Sequence, residues 1–176
     1  GIVMAIFQQI SGANAVFFYA PIIFEKAGMN IKNQLFQQIL IGITNLIFTI
    51  VAMQLVDKIG RKKLMLGGSL LMSIWLLIIG LLYHFDVFEG YWLTFFVLLF
   101  IATYATTLAP VTWVLISEIF PSQIRGKAMS LATGMLWTAC FALTLIFPIL
   151  FGSNKQEGIL TPLQSFLLFS GINFVY

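Results

Sequence analysis

Apolar residues fall in six long runs separated by short polar stretches, roughly 1–24, 35–56, 64–83, 91–117, 128–151 and 163–176. The runs are continuous and lack the strict apolar/polar alternation of membrane-barrel strands, so the pattern predicts helices. The first five have about 20 or more residues, enough at ~1.5 Å per residue to cross ~30 Å of hydrocarbon. The sixth is too short as it stands and stops at Tyr176 inside an apolar run. Together with a start at Gly1, this leads to the expectation of a segment of a longer membrane protein. No basic stretch before the first run and no small-residue cleavage site after it suggests a signal peptide.

Composition sharpens the picture. Charged residues are 9% of the chain and apolar ones 60%. A water-soluble domain carries about 25% charged residues, and 9% would not cover its surface. The predicted fold class is therefore all-α, a polytopic membrane helical bundle. The 18 Phe and 4 Trp suit lipid-facing and interface-anchoring positions. Cys140 is the single cysteine and forms no disulfide within the chain.

The loop charges orient the bundle. "VDKIGRKK" between runs two and three holds Lys58, Arg61, Lys62 and Lys63, and "SEIFPSQIRGKA" between runs four and five adds Arg125 and Lys127. The opposite side carries Lys26, Lys32 and Lys155. The richer loops are expected in the cytoplasm. "YHFDVFEGYW", with two carboxylates and no Lys or Arg, is expected outside.

Two runs are interrupted, the first by Ser11-Gly12 and Pro21, the fourth by Ala109-Pro110. If the six runs are two triplets, these occupy equivalent places, as the broken helices of transporter inverted repeats do. Polar residues cluster in the same runs. At ~100° per residue, Gln8, Ser11 and Asn14 form a drifting stripe, with Gln9 about 140° from Asn14. Unwinding at Ser11-Gly12 would let these amides converge. Run two offers Gln38, Gly42, Asn45 and Thr49 on one face; run four offers Thr106, Pro110, Trp113 and Ser117; run five offers Thr133, Trp137, Cys140 and Thr144.

Single hydroxyls such as Thr49, Thr106, Ser117 and Thr144 read as glue between helices, at about 0.6 kcal/mol each. Gln8, Gln9, Asn14 and Asn45 together read differently. Amides donate and accept at once, and beside Trp faces they match a neutral polyol with hydroxyls on its rim and C–H groups on its faces. No Asp, Glu, Lys or Arg stands in the middle of a run, so the sequence shows no proton relay. His84 reads as a solvated interface residue. Metal-ligand spacing, nucleophile–base pairs, phosphate loops and nucleic-acid motifs are absent from the sequence.

Three stretches in register carry a resemblance. "QQISGANAVFFYAPIIFEKAG" resembles the seventh helix of the sugar porters, a branch of the major facilitator superfamily. "VDKIGRKKL" resembles their cytoplasmic motif between helices eight and nine, and "PVTWVLISEIFPSQIRGKAMS" their tenth helix and the loop after it. The wording is similar to bacterial proton-coupled xylose-type carriers and, more loosely, to animal glucose facilitators.

The resemblance implies that residues 1–176 are the C-terminal six-helix half of a twelve-helix sugar transporter, a multi-pass protein of the cell membrane, the inner membrane if bacterial. It implies sugar contacts at Gln8, Gln9, Asn14, Asn45, Trp113 and Trp137, and an extracellular aromatic gate at Phe18 and Tyr19. It also implies a cytoplasmic ion-pair network of Asp57, Arg61, Lys62, Glu118 and Arg125. The implied partners are a monosaccharide and the lipid bilayer, with protons, if coupled, acting through the N-terminal half. No cofactor, metal or nucleic acid is implied, and no enzymatic activity. A membrane sugar sensor on the same fold is the alternative. Two departures stand out: Ala109 where the family often has Gly before the proline, and Leu136 where relatives commonly place a sugar-touching amide.

Overall fold

The computed structural model describes every residue except 1, 27–29, 86–91, 154–155, 158–160 and 176. Most of the loop expected outside, and Lys155, therefore lie outside the described residues. The helices are α1 (Ile2–Ile10), α2 (Ala13–Lys26), α3 (Ile31–Ile59), α4 (Arg61–His84), α5 (Trp92–Thr106), α6 (Leu108–Ile119), α7 (Arg125–Phe151) and α8 (Pro162–Val175). Helices α1 and α2 make span one, α3 span two, α4 span three, α5 and α6 span four, α7 span five and α8 span six. The first five spans are long and apolar enough to cross a membrane, and α8 is a shorter apolar helix. Between α7 and α8, where the sequence pattern reads as plain loop, Gly152 pairs with Glu157 and Ser153 with Gln156 in a two-residue antiparallel ladder.

Both interrupted spans break where the residues demand it, though not always at the expected residue. In span one the chain leaves the helix at Ser11-Gly12, with Gly12 at φ +86°, a conformation open to glycine and strained for other residues. In span four the break falls at Thr107 (φ −117°, ψ −82°) rather than at Ala109-Pro110. Proline fits the first turn of a helix, where its missing N–H is not needed. Starting α6 at Leu108 places Pro110 there.

Proline inside a helix frees the carbonyl four residues earlier, and in hydrocarbon a freed carbonyl needs a donor. Pro21 frees the Phe17 carbonyl, which accepts from Gln38 Nε2 of α3 at 3.2 Å. Pro148 frees the Thr144 carbonyl, which accepts from the Tyr19 hydroxyl of α2 at 2.6 Å. Each freed carbonyl is thus satisfied by a neighbouring helix rather than left open.

Helix packing follows a swapped pattern. The first half of span one, α1, packs on α7 of span five; the first half of span four, α5, packs on α3 of span two. Spans three and six lie against each other along α4 and α8. There, Ser73 Oγ donates to the Ser170 carbonyl and Ser170 Oγ to the Ser73 carbonyl, both at 2.8 Å. The two breaks also rest on this pair. The Phe169 ring of α8 lies 3.0 Å from where a Cβ on Gly12 would stand, and a Cβ on Gly68 of α4 would overlap the Thr107 side chain. Exchanging spans one, two and three with four, five and six maps these contacts onto each other, the correspondence expected of inverted repeats.

The main core gathers α2, α4, α5, α7 and α8 around Phe24, Met72, Leu76, Phe100, Phe147 and Phe166. A small second cluster, Ala5, Ile116, Ala132 and Leu136, joins α1, α6 and α7. Helices α3 and α7 are the least covered of the spans, with Leu46 and Ile50 of α3 and Trp137 and Phe141 of α7 exposed.

Candidate functional site

The break in span one organises the site. Losing the helical register at Gly12 lets the end of α1 and the start of α2 turn their side chains toward each other. The Ser11 hydroxyl folds back onto the Gln8 carbonyl at 2.6 Å, as serines also do within unbroken helices. Asn14 Nδ2 donates to Gln9 Oε1, closing the wide angle that a straight helix would leave between them. Asn14 Nδ2 also lies 3.5 Å from Cys140 Sγ on α7, which ties the pair to span five. Gln8 faces span four, where its Nε2 donates to the Leu108 carbonyl beside the second break at 3.4 Å. Its Oε1 is buried and has no partner among the described residues.

The remaining sequence-predicted contacts stand more openly. Asn45 is half-buried on α3, and its carbonyl accepts from Thr49 at 2.7 Å. Trp113 on α6 is 41% exposed and Trp137 on α7 is 60% exposed. Among the described residues no hydrogen bond joins Asn45, Trp113 or Trp137 to the Gln9–Asn14 pair. The structure therefore brings Gln9 and Asn14 together, turns Gln8 toward span four, and leaves both indoles exposed. Leu136, the neighbour of the exposed Trp137, is instead buried against Ala5, Ile116 and Ala132.

The neighbouring aromatics Phe18 and Tyr19 diverge. Phe18 is exposed. Tyr19 stacks on Phe147 with ring centroids 4.8 Å apart, and its hydroxyl holds the carbonyl freed by Pro148. Helices α2 and α7 are thereby pinned together through Tyr19.

At the other end, Arg61 Nη2 meets Glu118 Oε1 at 2.7 Å, joining the start of α4 to the end of α6. Of the five charges expected to form a network, these two make an ion pair among the described residues. Arg125 Nε instead donates to the Phe120 carbonyl at 3.3 Å, closing its own turn. Asp57 and Lys62 are exposed, and Lys62 rims a cavity of about 280 Å³ with Met4, Phe7, Met65 and Val175.

Sequence reasoning missed Asn173, whose Nδ2 donates to the Ser11 carbonyl at 2.7 Å. It also missed the Ser73–Ser170 seam. The available signal was a serine and an amide within the apolar stretch "SGINFVY" of the sixth run.

A bundle of membrane-crossing helices with broken first and fourth spans is the architecture of one class of carrier. The chain superposes over 99% of its length on the proton:xylose symporter XylE, a major facilitator superfamily protein solved with 6-bromo-6-deoxy-D-glucose, at a TM-score of 0.86 and 34% identity, covering 37% of that chain. A crystal structure of a D-xylose-proton symporter matches 99% of the chain at a TM-score of 0.87 and 33% identity, with 40% of that chain covered.

The chain belongs to the sugar transporter family: the model described as "Sugar (and other) transporter" matches residues 1–176. It is 37% identical over 153 residues to the arabinose-proton symporter of Bacillus subtilis (strain 168), covering 87% of this chain and 33% of that one. It is 39% identical over 150 residues to the D-xylose-proton symporter of Escherichia coli (strain K12), covering 85% and 30%. It is 37% identical over 175 residues to the glucose facilitated diffusion protein of Zymomonas mobilis, covering 99% and 37%. The chain thus spans about a third of the length of the curated relatives it matches. It is a multi-pass membrane protein.

Proposed function

We propose that this chain is the C-terminal six-helix half of an alternating-access carrier for a monosaccharide, hexose or pentose. The observation that carries the reading is the Gln9–Asn14 contact across the span-one break. It gathers amide donors and acceptors at one level of the bundle, where the polar edges of a neutral sugar can exchange for water. Relatives named for arabinose, xylose and glucose support the same substrate class.

In this reading Gln8, Gln9, Asn14 and Asn45 bind sugar hydroxyls, and the exposed faces of Trp113 and Trp137 pack its C–H surfaces. Gln8 offers chiefly its Oε1, which has no partner among the described residues, since its nitrogen is engaged by Leu108. The open faces of α3 and α7 meet the other half of the carrier. Phe18 and Tyr19 close the outer side, with Tyr19 docked on α7. Arg61 and Glu118 close the inner side by holding α4 to α6, with Asp57, Lys62 and Arg125 joining them when the halves meet. The work is translocation rather than bond chemistry. Where protons drive accumulation, the acid that carries them belongs to the N-terminal half, because no Asp or Glu stands in the middle of these spans.

The test is uptake by the full-length protein in liposomes, with D-xylose, L-arabinose and D-glucose and with an imposed pH gradient. Saturable entry of at least one of these sugars is expected. Sugar binding without entry would replace the carrier with a receptor.

A further inference from the structure

Asn173 stands on α8, a helix that carries none of the positions assigned above to sugar or to gating. It is fully buried. Its Nδ2 donates to the Ser11 carbonyl at 2.7 Å and to the Phe169 carbonyl, one turn back on its own helix, at 2.8 Å. With carbonyl oxygens on both sides, the amide orientation is settled, because only the nitrogen can face them. Its Oδ1 is buried without a partner among the described residues. A leucine would avoid that cost, so the amide calls for a reason, and the Ser11 carbonyl supplies one.

That carbonyl is a product of the break. Gly12 at φ +86° turns the chain out of register, and the backbone ladder resumes with Val16 N–H to the Gly12 carbonyl. No backbone N–H among the described residues returns to Ser11. Asn173 replaces the lost donor. Phe169, four residues earlier on the same helix, fills the space beside Gly12. Helix α8 is itself anchored to α4 by the reciprocal Ser73–Ser170 bonds and by Gly80, whose missing Cβ admits Phe166 at 3.2 Å. A fixed helix therefore holds the break at one atom, and that atom lies between Gln9 and Asn14 in the chain.

We infer that Asn173 is a positioning residue for the sugar site. By holding the Ser11 carbonyl it sets the angle between α1 and α2, and with it the mutual placement of Gln9 and Asn14. This rests on the reading of those two amides as sugar ligands.

The test is a double-mutant cycle on the purified full-length protein, read by calorimetry with D-xylose and D-glucose. The variants are Gln9→Ala, Asn173→Leu and the two combined. Asn173→Ser is the second probe: its hydroxyl can return to the Phe169 carbonyl of its own helix but does not span to Ser11, and serine is well tolerated in membrane helices. Should Asn173→Leu not fold, Asn173→Ser takes its place in the cycle.

Each Asn173 variant is expected to lose roughly ten-fold in affinity. The combined variant should lose little more than the worse single one, because both act on the same contact. Ser170→Ala, which weakens the seam without touching the break, should bind as wild type. Full affinity in Asn173→Ser, or losses that multiply in the combined variant, would overturn the positioning role. Wild-type affinity in Gln9→Ala would instead remove the site assignment, and the inference with it.

Discussion

Arg61 and Glu118 meet at 2.7 Å, each at the end of its helix where the backbone dipole disfavours its charge. Arg61 is the first residue of α4 and Glu118 the next to last of α6, whereas cations suit helix C-termini and anions N-termini. Helix electrostatics do not explain them, and the positive-inside rule explains the arginine alone. The pair itself is the reason for both. Their side chains are about half exposed, so the pair is worth on the order of 0–1 kcal/mol. That is enough to move a near-balanced equilibrium several-fold. Glu118→Gln and Arg61→Ala are expected to slow transport several-fold while sparing sugar affinity. Unchanged uptake rates in both would reduce the pair to a topological signal.

Tyr19 offers a second handle. Its hydroxyl satisfies the carbonyl freed by Pro148, so parting α2 from α7 must break that bond. Tyr19→Phe keeps the stack on Phe147 and removes only the donor. The outer side should open more readily, by about 1 kcal/mol. A cysteine introduced at Thr144, in a Cys140→Ser background, should then be labelled several-fold faster from outside than in the Tyr19 parent. Equal labelling rates would separate Tyr19 from outer gating.

The site amides give a graded expectation. Gln9→Ala and Asn45→Ala should each weaken sugar binding by on the order of 1–2 kcal/mol without lowering membrane expression. Trp113→Ala should cost more, since it removes a broad contact face as well as a donor. Leu136→Asn is different: its side chain is buried among Ala5, Ile116 and Ala132. An amide there gains no sugar and loses packing, so reduced thermal stability is expected with affinity unchanged. Tighter sugar binding in Leu136→Asn would show that the helix turns its 136 side chain inward.

Adjacent glycines on α4 make a matched pair. A Cβ on Gly68 would run into Thr107 at the span-four break, while one on Gly67 meets nothing within 4 Å among the described residues. Gly68→Ala is expected to cost about 1–3 kcal/mol, and Gly67→Ala to be close to neutral or slightly stabilising. Thermal unfolding of the two variants in detergent compares them directly, and equal midpoints would contradict the close approach.

Much of this was legible because hydrocarbon is a demanding solvent. Long uninterrupted apolar runs admit one structure, and Ser11-Gly12 inside such a run announces a break. The span-four break was misplaced because proline reads as the interruption, whereas it sits comfortably in a first helical turn and the chain leaves helical geometry at Thr107. Asn173 and Tyr19 were harder. Their structural roles depend on which carbonyl a distant glycine or proline has freed, and that is fixed by packing between spans. The ion pair was readable as a set of charges, but sequence alone did not single out Arg61 and Glu118 from Asp57, Lys62 and Arg125.

The Ser73–Ser170 seam has a consequence for genetics. Each hydroxyl serves the other helix's backbone, and the acceptors are carbonyls that no substitution deletes. Replacing either serine removes one bond and leaves its mirror image in place, a loss of about 0.6 kcal/mol by the average for such contacts. A screen that scores single substitutions will therefore rank both positions as dispensable. The seam is redundant by construction, and its importance surfaces only when both serines are lost together.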